Sequence, residues 1–355
     1  MSIITDFLPI NEHQRIGTIT LNKPEALNAQ NLEMVRTTKA TLQAWADDDS
    51  VVAVLLRGAG ERAFCAGGDI RNLYHSYDPS VFPNPMSEAF FGTEYDLCKQ
   101  INSYAKPIIV WASGIVMGGG MGLAMPSSHV IVTDTTMMAM PEVSIGLFPD
   151  AGGSYFLTHI PDKIGLFLGL TGARFNGIDA LALGLADFGM PSDAYDKLLL
   201  ALTTADWQAD SASNHQMLNT LLNNIQNTET LGDGWLLPHR DTIAKIAQAE
   251  SLAAFDRLAK SADNQPEYLK KAFDSYNQGS PTSASLAWQL HHLVGGLDFD
   301  AVMDMEYIVA LHCSHNGEFF EGVRALLIDK DKNPAWRYTL DTMPDGYIDS
   351  HFQAW

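Results

Sequence analysis

Two acidic residues lie eight positions apart in a segment that is otherwise apolar and rich in glycine and proline. Glu142 and Asp150 each follow a proline within Met140–Gly153 (MPEVSIGLFPDAGG). A carboxyl group in apolar surroundings tends to have a raised pKa and can then serve as a general acid or base. The alternative is that both are solvent-exposed loop acids or helix caps, and their spacing alone does not decide between the two interpretations.

Glycines form two clusters, each shortly after a run of residues that is typical of a buried strand. Gly118–Gly120 come after Ile108–Ala112 (IIVWA), and Ala63–Asp69 (AFCAGGD) comes after Val51–Arg57 (VVAVLLR). Glycine lets a backbone approach a ligand closely, and the first N–H groups of a helix are unpaired donors. Such donors can bind an anion or the oxyanion that develops in acyl transfer. The alternative is a pair of tight turns packed against neighbouring strands.

Three other patterns indicate chemistry less strongly. Gly58–Ala63 fits the dinucleotide fingerprint G-x-G-x-x-A, but a loop follows it where the fingerprint requires a helix. His291-His292 and His312–His315 do not have the spacing of zinc ligands. Ser154 follows two glycines, yet the chain contains no G-x-S-x-G motif. We therefore predict no dinucleotide site, no metal site and no serine-hydrolase triad.

Strands alternate with helices in the first half of the chain, and the second half is mostly helical in pattern. Period-2 or continuous apolar runs predict strands at Ile16–Leu21, Val51–Arg57, Ile108–Ala112 and Val130–Thr133. Apolar periodicity predicts helices at Asn31–Trp45, Lys163–Leu170 and Ile178–Leu185. This order favours an α/β fold. Residues 203–235 are rich in Asn, Gln, Thr and Asp, so we predict a catalytic core at 1–202 and a helical C-terminal region at 203–355.

The composition excludes several classes of function. The chain has 355 residues, 42 of them Asp or Glu and 22 Lys or Arg, which gives a net charge of −20. Binding to nucleic acid or to anionic membranes depends on basic residues, so neither is expected. Three widely spaced cysteines, Cys65, Cys98 and Cys313, do not suggest a disulfide framework. With no leader or membrane-span pattern, we expect a cytoplasmic protein.

Several spaced motifs together resemble the crotonase (enoyl-CoA hydratase/isomerase) superfamily. They are Leu21–Pro24, Ala26–Asn28, Ala63–Ile70, Lys106-Pro107, Gly114, Met117–Gly120, Pro141-Glu142 and Ile145-Gly146. The resemblance implies a spiral of ββα turns with a helical C-terminal region, and substrates that are acyl-CoA thioesters. It also implies that the backbone N–H groups of Gly68 and Gly119 bind the thioester oxygen.

The details resemble the hydrolase branch of the superfamily, whose substrates are short 3-hydroxyacyl-CoA thioesters. Met140–Gly153 has the Pro-Glu and Phe-Pro-Asp elements of that branch, and Phe320–Trp336 resembles its C-terminal segment. Gly122 stands where hydratases place a catalytic glutamate. The resemblance therefore implies thioester hydrolysis, with Glu142 and Asp150 as catalytic residues.

The same resemblance implies further properties. Glu94, in Phe90–Tyr95, matches an acid that lines the acyl pocket and would bind substrate together with Gly68 and Gly119. No cofactor is expected, because CoA is part of the substrate, and homo-oligomers are compatible with the superfamily. Two alternatives stay open: another crotonase-type enzyme such as an enoyl-CoA hydratase or isomerase, and a non-catalytic acyl-CoA-binding protein.

Overall fold

The computed structural model describes residues 1–354, without the side chain of Asp263. Trp355, the last residue of the predicted helical C-terminal region, lies outside the described residues. The chain folds into two compact units, and each unit is assembled from three separate segments. The first unit comprises Met1–Gly68, Asp96–Met138 and Phe175–Gly234. The second unit comprises Asp69–Tyr95, Ala139–Arg174 and the chain from Trp235 onward.

The first unit contains the sheets, apart from the last residue of one strand. The strands in chain order are β1 (Ile3–Pro9), β2 (Arg15–Leu21), β3 (Val51–Gly58), β4 (Ala63–Cys65), β5 (Ile108–Ala112), β6 (Ile115–Met117), β7 (His129–Thr133), β8 (Met137–Ala139), β9 (Phe175–Asn176) and β10 (Phe188–Met190). One sheet has the order β1-β2-β3-β5-β7-β10 and the other has β4-β6-β8-β9. In the larger sheet β1 and β2 pair antiparallel, and every other neighbouring pair is parallel. Parallel pairing agrees with the continuous burial of β5 and β7, because parallel sheets are covered on both faces.

Helices occupy most of the remaining chain. In order they are α1 (Leu32–Ala46), α2 (Arg71–His75), α3 (Pro85–Asn102), α4 (Gly119–Ala124), α5 (Gly153–Thr158), α6 (Ile164–Thr171), α7 (Gly177–Leu183), α8 (Tyr195–Thr204), α9 (Ser211–Ile225), α10 (Arg240–Ala247), α11 (Leu252–Lys260), α12 (Glu267–Gln278), α13 (Pro281–Leu293), α14 (Phe299–Asn316) and α15 (Glu318–Val323). The predicted α/β fold with a crotonase-like core and a helical C-terminal region is confirmed.

The predicted domain boundary between residues 202 and 203 does not coincide with the two units. It falls inside α8, and the first unit continues to Gly234. Leu202 of α8 and Leu222 of α9 are both fully buried in one apolar core with β-strand residues such as Leu55. Much of the polar composition of residues 203–235 belongs to the solvent face of α9 rather than to a linker, because an amphipathic helix needs only one apolar stripe.

The second unit has an apolar core of its own, formed by its helices. Phe167, Phe255 and Phe273 come from α6, α11 and α12, and their rings meet edge to face with centroids 5.9–6.5 Å apart. Such edge-to-face contacts add to the stabilisation that burial of aromatic area provides. Among the described residues, no helix is long and apolar enough to cross a membrane.

Candidate active site

Glu142 and Asp150 are both buried in the second unit, each with 5% of its surface exposed. Glu142 begins a 3₁₀ turn, Glu142–Ile145, that follows Pro141 and ends at Gly146 in the left-handed conformation (φ 75°). A Cβ atom on Gly146 would clash with the Glu318 carbonyl oxygen, so this position requires glycine for space as well as conformation. The two acids are therefore not solvent-exposed loop residues.

Glu94 lies on the buried face of α3. Phe90, Phe91, Glu94 and Cys98 are all nearly inaccessible and recur at the spacing of one helix face. One carboxyl oxygen of Glu94 (Oε1) and one of Glu142 (Oε2) are buried without a hydrogen-bond partner among the described residues. Buried carboxyl oxygens are costly without a partner, so oxygens left in this state are common at functional sites.

Tyr95 connects α3 to Asp150. The Tyr95 hydroxyl donates a hydrogen bond of 2.6 Å to Asp150 Oδ2. Burial raises the pKa of Asp150 to about 6, although this hydrogen bond acts in the opposite direction and lowers it. Burial and the charge of Asp150 together raise the pKa of Tyr95 well above its ordinary value, so the phenol keeps its proton and remains the donor.

Glu306, on α14, is a fourth buried acid of the second unit. It is fully inaccessible and accepts hydrogen bonds from the backbone N–H groups of Gly152 (2.7 Å) and Ser154 (3.0 Å). Burial raises the pKa of Glu306 to about 8 despite those two bonds. The residue is therefore mostly protonated at neutral pH.

The acids influence one another's protonation. Burial, followed by the charge of Asp150, raises the pKa of both Glu94 and Glu142 well above the ordinary value of a glutamic acid. Neighbouring carboxylates cannot all ionise at low cost, so the cluster holds protons at neutral pH. The pKa of Asp150, about 6, lies close enough to neutrality for this carboxyl to give or take a proton there. The arrangement suits acid–base chemistry.

The glycine clusters lie in the first unit. Gly119 is the first residue of α4, and it follows Gly118 at positive φ (50°). Gly68 likewise follows Gly67 at positive φ (101°), and a Cβ atom on Gly67 would lie 3.7 Å from the Gly119 nitrogen. In turns, loops and caps of the described chain, neither the Gly68 nor the Gly119 N–H donates a backbone hydrogen bond. The structure thus brings the two predicted oxyanion donors into neighbouring segments of one unit.

Gln30 connects these two glycine segments. Its backbone N–H donates to the Gly67 carbonyl (2.8 Å), and its side-chain Nε2 donates to the Gly119 carbonyl (3.3 Å). The side chain is fully buried. One residue therefore fixes the carbonyl groups on both sides of the predicted oxyanion site.

Sequence reasoning missed Tyr95, Glu306 and Gln30. A signal for Glu306 was present, since it shares the apolar face of α14 with Val302 and Val309, and an acid in an apolar stripe is unusual. Tyr95 and Gln30 gave no such signal because their roles depend on tertiary partners. Within residues 1–354 no cluster of three or more His, Cys, Asp or Glu side chains has the geometry to hold a metal ion.

Comparison with known proteins agrees with the fold and the motifs. The family model described as enoyl-CoA hydratase/isomerase matches residues 16–352. The chain belongs to this family. The mitochondrial 3-hydroxyisobutyryl-CoA hydrolase of Danio rerio is 37% identical over 351 residues, which are 96% of this chain and 87% of that protein. The Homo sapiens protein of the same name is 32% identical and covers 95% of this chain and 86% of its own length.

Solved structures with the same fold carry other names. A carnitinyl-CoA dehydratase from Mycobacterium thermoresistibile has a TM-score of 0.85 and 32% identity, covering 99% of this chain and 96% of its own. An enoyl-CoA hydratase from Rhodobacter sphaeroides has a TM-score of 0.84 and 30% identity, covering 99% and 97%. The fold alone therefore does not select among the reactions of this family.

Proposed function

We propose that this protein hydrolyses a short-chain 3-hydroxyacyl-CoA thioester, with 3-hydroxyisobutyryl-CoA as the best candidate, to the free acid and CoA. The observation that carries the proposal is the buried acid cluster containing Glu142, Asp150 and Glu94. Relatives at 32–37% identity over nearly the whole chain are named for this hydrolysis. A role in valine catabolism follows from the substrate named for those relatives.

In the proposed reaction Glu142 acts on water or on the thioester itself. As a general base, its carboxylate takes a proton from water while the water oxygen attacks the thioester carbon. As a nucleophile, it attacks that carbon and forms a mixed anhydride, which water then cleaves. In both routes the C–S bond breaks, CoA leaves as the thiolate and takes up a proton, and the acid is released.

Other residues have supporting roles in the proposal. The N–H groups of Gly68 and Gly119 bind the carbonyl oxygen as it becomes negative, and loss of one such donor typically costs about 10²–10³ in rate. Asp150 forms a hydrogen bond with the substrate hydroxyl or transfers a proton, and Glu94 positions that hydroxyl. Asp150, with its pKa of about 6, can do either at neutral pH.

The second candidate is hydration or isomerisation of an enoyl-CoA, which the names of the solved structures favour. Against it, Gly122 stands where the resemblance places the second hydratase glutamate, and this glycine is buried within α4. A non-catalytic acyl-CoA-binding protein is a more distant candidate. It would not require the buried acids, which are costly to keep.

The deciding experiment is free-thiol release from 3-hydroxyisobutyryl-, 3-hydroxypropionyl- and crotonyl-CoA, with loss of the enoyl chromophore followed in parallel. We expect thiol release to be fastest with a 3-hydroxyacyl-CoA and no loss of the crotonyl chromophore. Chromophore loss without thiol release would establish the hydratase alternative. Binding without either reaction would establish the non-catalytic one.

We also propose that the reaction needs no cofactor, that the protein is cytoplasmic and that it can form homo-oligomers. Cys65, Cys98 and Cys313 are buried thiols and are not joined in disulfides, which suits a reducing compartment. Dialysis against a chelator should leave thiol release unchanged. Cell fractionation and light scattering would test the location and the oligomeric state.

A further inference from the structure

We propose that Glu306 is a positioning residue that holds the turn after Asp150 in its active conformation. The inference rests on the proposed function, because it assumes that Asp150 acts in the reaction. Glu306 itself is not placed against substrate. Its role is exerted through the backbone of Gly152 and Ser154, which it contacts directly.

Among the described residues, no cation compensates Glu306. Its side chain is completely buried, and no ion pair of these residues includes it. A buried carboxyl group is costly unless its oxygens accept hydrogen bonds. Here both oxygens accept a backbone N–H, Oε2 from Gly152 and Oε1 from Ser154. Because both N–H donors belong to Gly152–Ser154, we infer that the Glu306 side chain stabilises this segment.

The segment that Glu306 contacts is a turn that needs support. Ala151 (φ 52°) and Gly152 (φ 87°) are consecutive residues at positive φ, and Ala151 carries a Cβ that disfavours this region. The Gly153 N–H closes the turn on the Asp150 carbonyl at 2.8 Å. Residues keep such backbone conformations only when the contacts around them hold them there.

Glu306 also replaces a missing helix cap. Helix α5 begins at Gly153, and its N-cap is Gly152, which has no side chain to accept the first N–H groups. An Asp, Ser or Asn at the N-cap normally supplies that acceptor. A Cβ atom on Gly152 would lie 2.8 Å from the Phe299 ring, so a capping side chain does not fit there. Glu306 provides the acceptors from α14 instead.

Asp150 is the first residue of this turn, and its carboxylate is held by the hydrogen bond from the Tyr95 hydroxyl. Fixing the backbone from the other side leaves the Asp150 carboxylate little freedom. A displacement of about 1 Å at a catalytic group can cost about 10²-fold in rate. Among the described residues, Asp150, Glu142 and Tyr95 interact electrostatically with Glu306. Because Glu306 is mostly protonated at neutral pH, its contribution there is acceptor geometry rather than charge.

The test is Glu306→Gln, which keeps the size of the side chain but replaces a carboxyl oxygen, which can accept a hydrogen bond even when protonated, with an NH2 group that can only donate. That donor meets a backbone N–H, so the turn loses one bond and gains a repulsion. We expect kcat for thiol release to fall by about 10–100-fold, with KM changed by less than about threefold. Amide hydrogen exchange at Gly152 and Ser154 should become faster in the variant.

The matched control is Asp179→Asn. Asp179 is also a fully buried acid that accepts a backbone N–H at a helix start, but it lies in the first unit. It should lose thermal stability with little change in kcat. If Glu306→Gln retains kcat within about threefold, or loses activity only in proportion to its unfolded fraction, the positioning role is wrong.

Hydrogen exchange separates this proposal from the proposed function. If the unaltered protein releases no thiol from any acyl-CoA, the proposed hydrolysis fails, and exchange at Gly152 and Ser154 still reports whether Glu306 holds the turn. If thiol is released but exchange and kcat are unchanged in Glu306→Gln, the hydrolysis stands and the positioning role is overturned.

Discussion

At the scale of single residues, Glu142 combines burial with one oxygen that no described residue satisfies. We expect Glu142→Gln to reduce kcat for thiol release by about 10²–10⁴, the usual contribution of a positioned general base. Binding of the acyl-CoA should be nearly unchanged, because the amide has the same shape. Thiol release and equilibrium binding by calorimetry measure the two quantities.

Glu318→Gln is a suitable control for that variant. Glu318 is equally buried in the second unit, but it accepts hydrogen bonds from Ser280 Oγ and the Arg337 backbone N–H. It should keep most of the activity. Near-full activity in Glu142→Gln would remove this residue from the mechanism.

The Tyr95–Asp150 hydrogen bond predicts a shift in the pH dependence of the reaction. The bond lowers the pKa of Asp150, so its loss in Tyr95→Phe should raise that pKa from about 6. If ionised Asp150 is the active form, the acid limb of kcat/KM moves to higher pH, and activity falls most below neutrality. Thiol release measured across about pH 5–9 checks this.

Tyr276→Phe is the control for the loss of a buried tyrosine hydroxyl. The Tyr276 hydroxyl contacts Asp256, which is not one of the acids of the cluster. An acid limb at the same pH in Tyr95→Phe and in the unaltered protein would show that Asp150 does not set it.

The residues that lie in motifs were predictable, and Tyr95 and Gln30, which act through tertiary contacts, were not. Glu306 could be noticed as an acid in the apolar face of α14, but the turn that it contacts could not be predicted. Glu142 and Asp150 stand out in the sequence because an apolar, Pro- and Gly-punctuated segment surrounds them. Tyr95 matters only through Asp150, 55 positions away, and Glu306 through a turn about 150 positions away. The sequence around each of these residues does not indicate which distant residue it contacts.

At the scale of elements, Gln30 is the link between the two glycine segments. We expect Gln30→Met, which removes the donor to the Gly119 carbonyl but keeps the volume, to lower kcat about 10-fold. This is less than the ~10²–10³ that follows loss of an oxyanion donor itself. Single-turnover thiol release is the appropriate measurement. Gln100→Met, another Gln in the first unit, is the control, and equal rates in both variants would contradict the linking role.

Most strands of the larger sheet were predictable because their apolar runs are continuous. The prediction for Ile108–Ala112 agrees residue for residue, and those for β2, β3 and β7 differ by one residue at an end. Strand β1 was missed because its outer positions are exposed, and only Ile3 is buried. An edge strand that buries so little has little hydrophobic pattern.

At the scale of the whole molecule, the buried acids predict that stability falls as pH rises from about 7 to 8. Glu306 has a pKa of about 8 when folded, against 4.5 as the ordinary value, so in this window the folded chain binds more protons than the unfolded one. Each such group lowers the free energy of unfolding by up to about 1.4 kcal/mol per pH unit. Glu94 and Glu142, whose pKa values are also raised, act in the same direction.

The buried histidines oppose this trend only at lower pH. His129, His291 and His351 have pKa values lowered by burial to about 4, so they add stability as pH rises towards 6.5. Urea denaturation followed by circular dichroism at pH 7 and 8 measures the effect. The slope should be smaller in Glu306→Gln, and an equal slope would contradict the assignment.

The interleaving of the two units has a consequence for how the chain is made. The first unit has all its segments once Gly234 has left the ribosome, whereas the second still lacks its longest segment, from Trp235 onward. Asp69–Tyr95 and Ala139–Arg174 can already contact each other, as Tyr95 and Asp150 do, but the partners that the last segment supplies, such as Glu306, have not yet been made. During synthesis the predicted oxyanion loops can form first, and the group of Glu94, Glu142, Asp150 and Glu306 is completed last, when Glu306 has been made. A polypeptide truncated anywhere before Glu306 would therefore lack one of these buried acids.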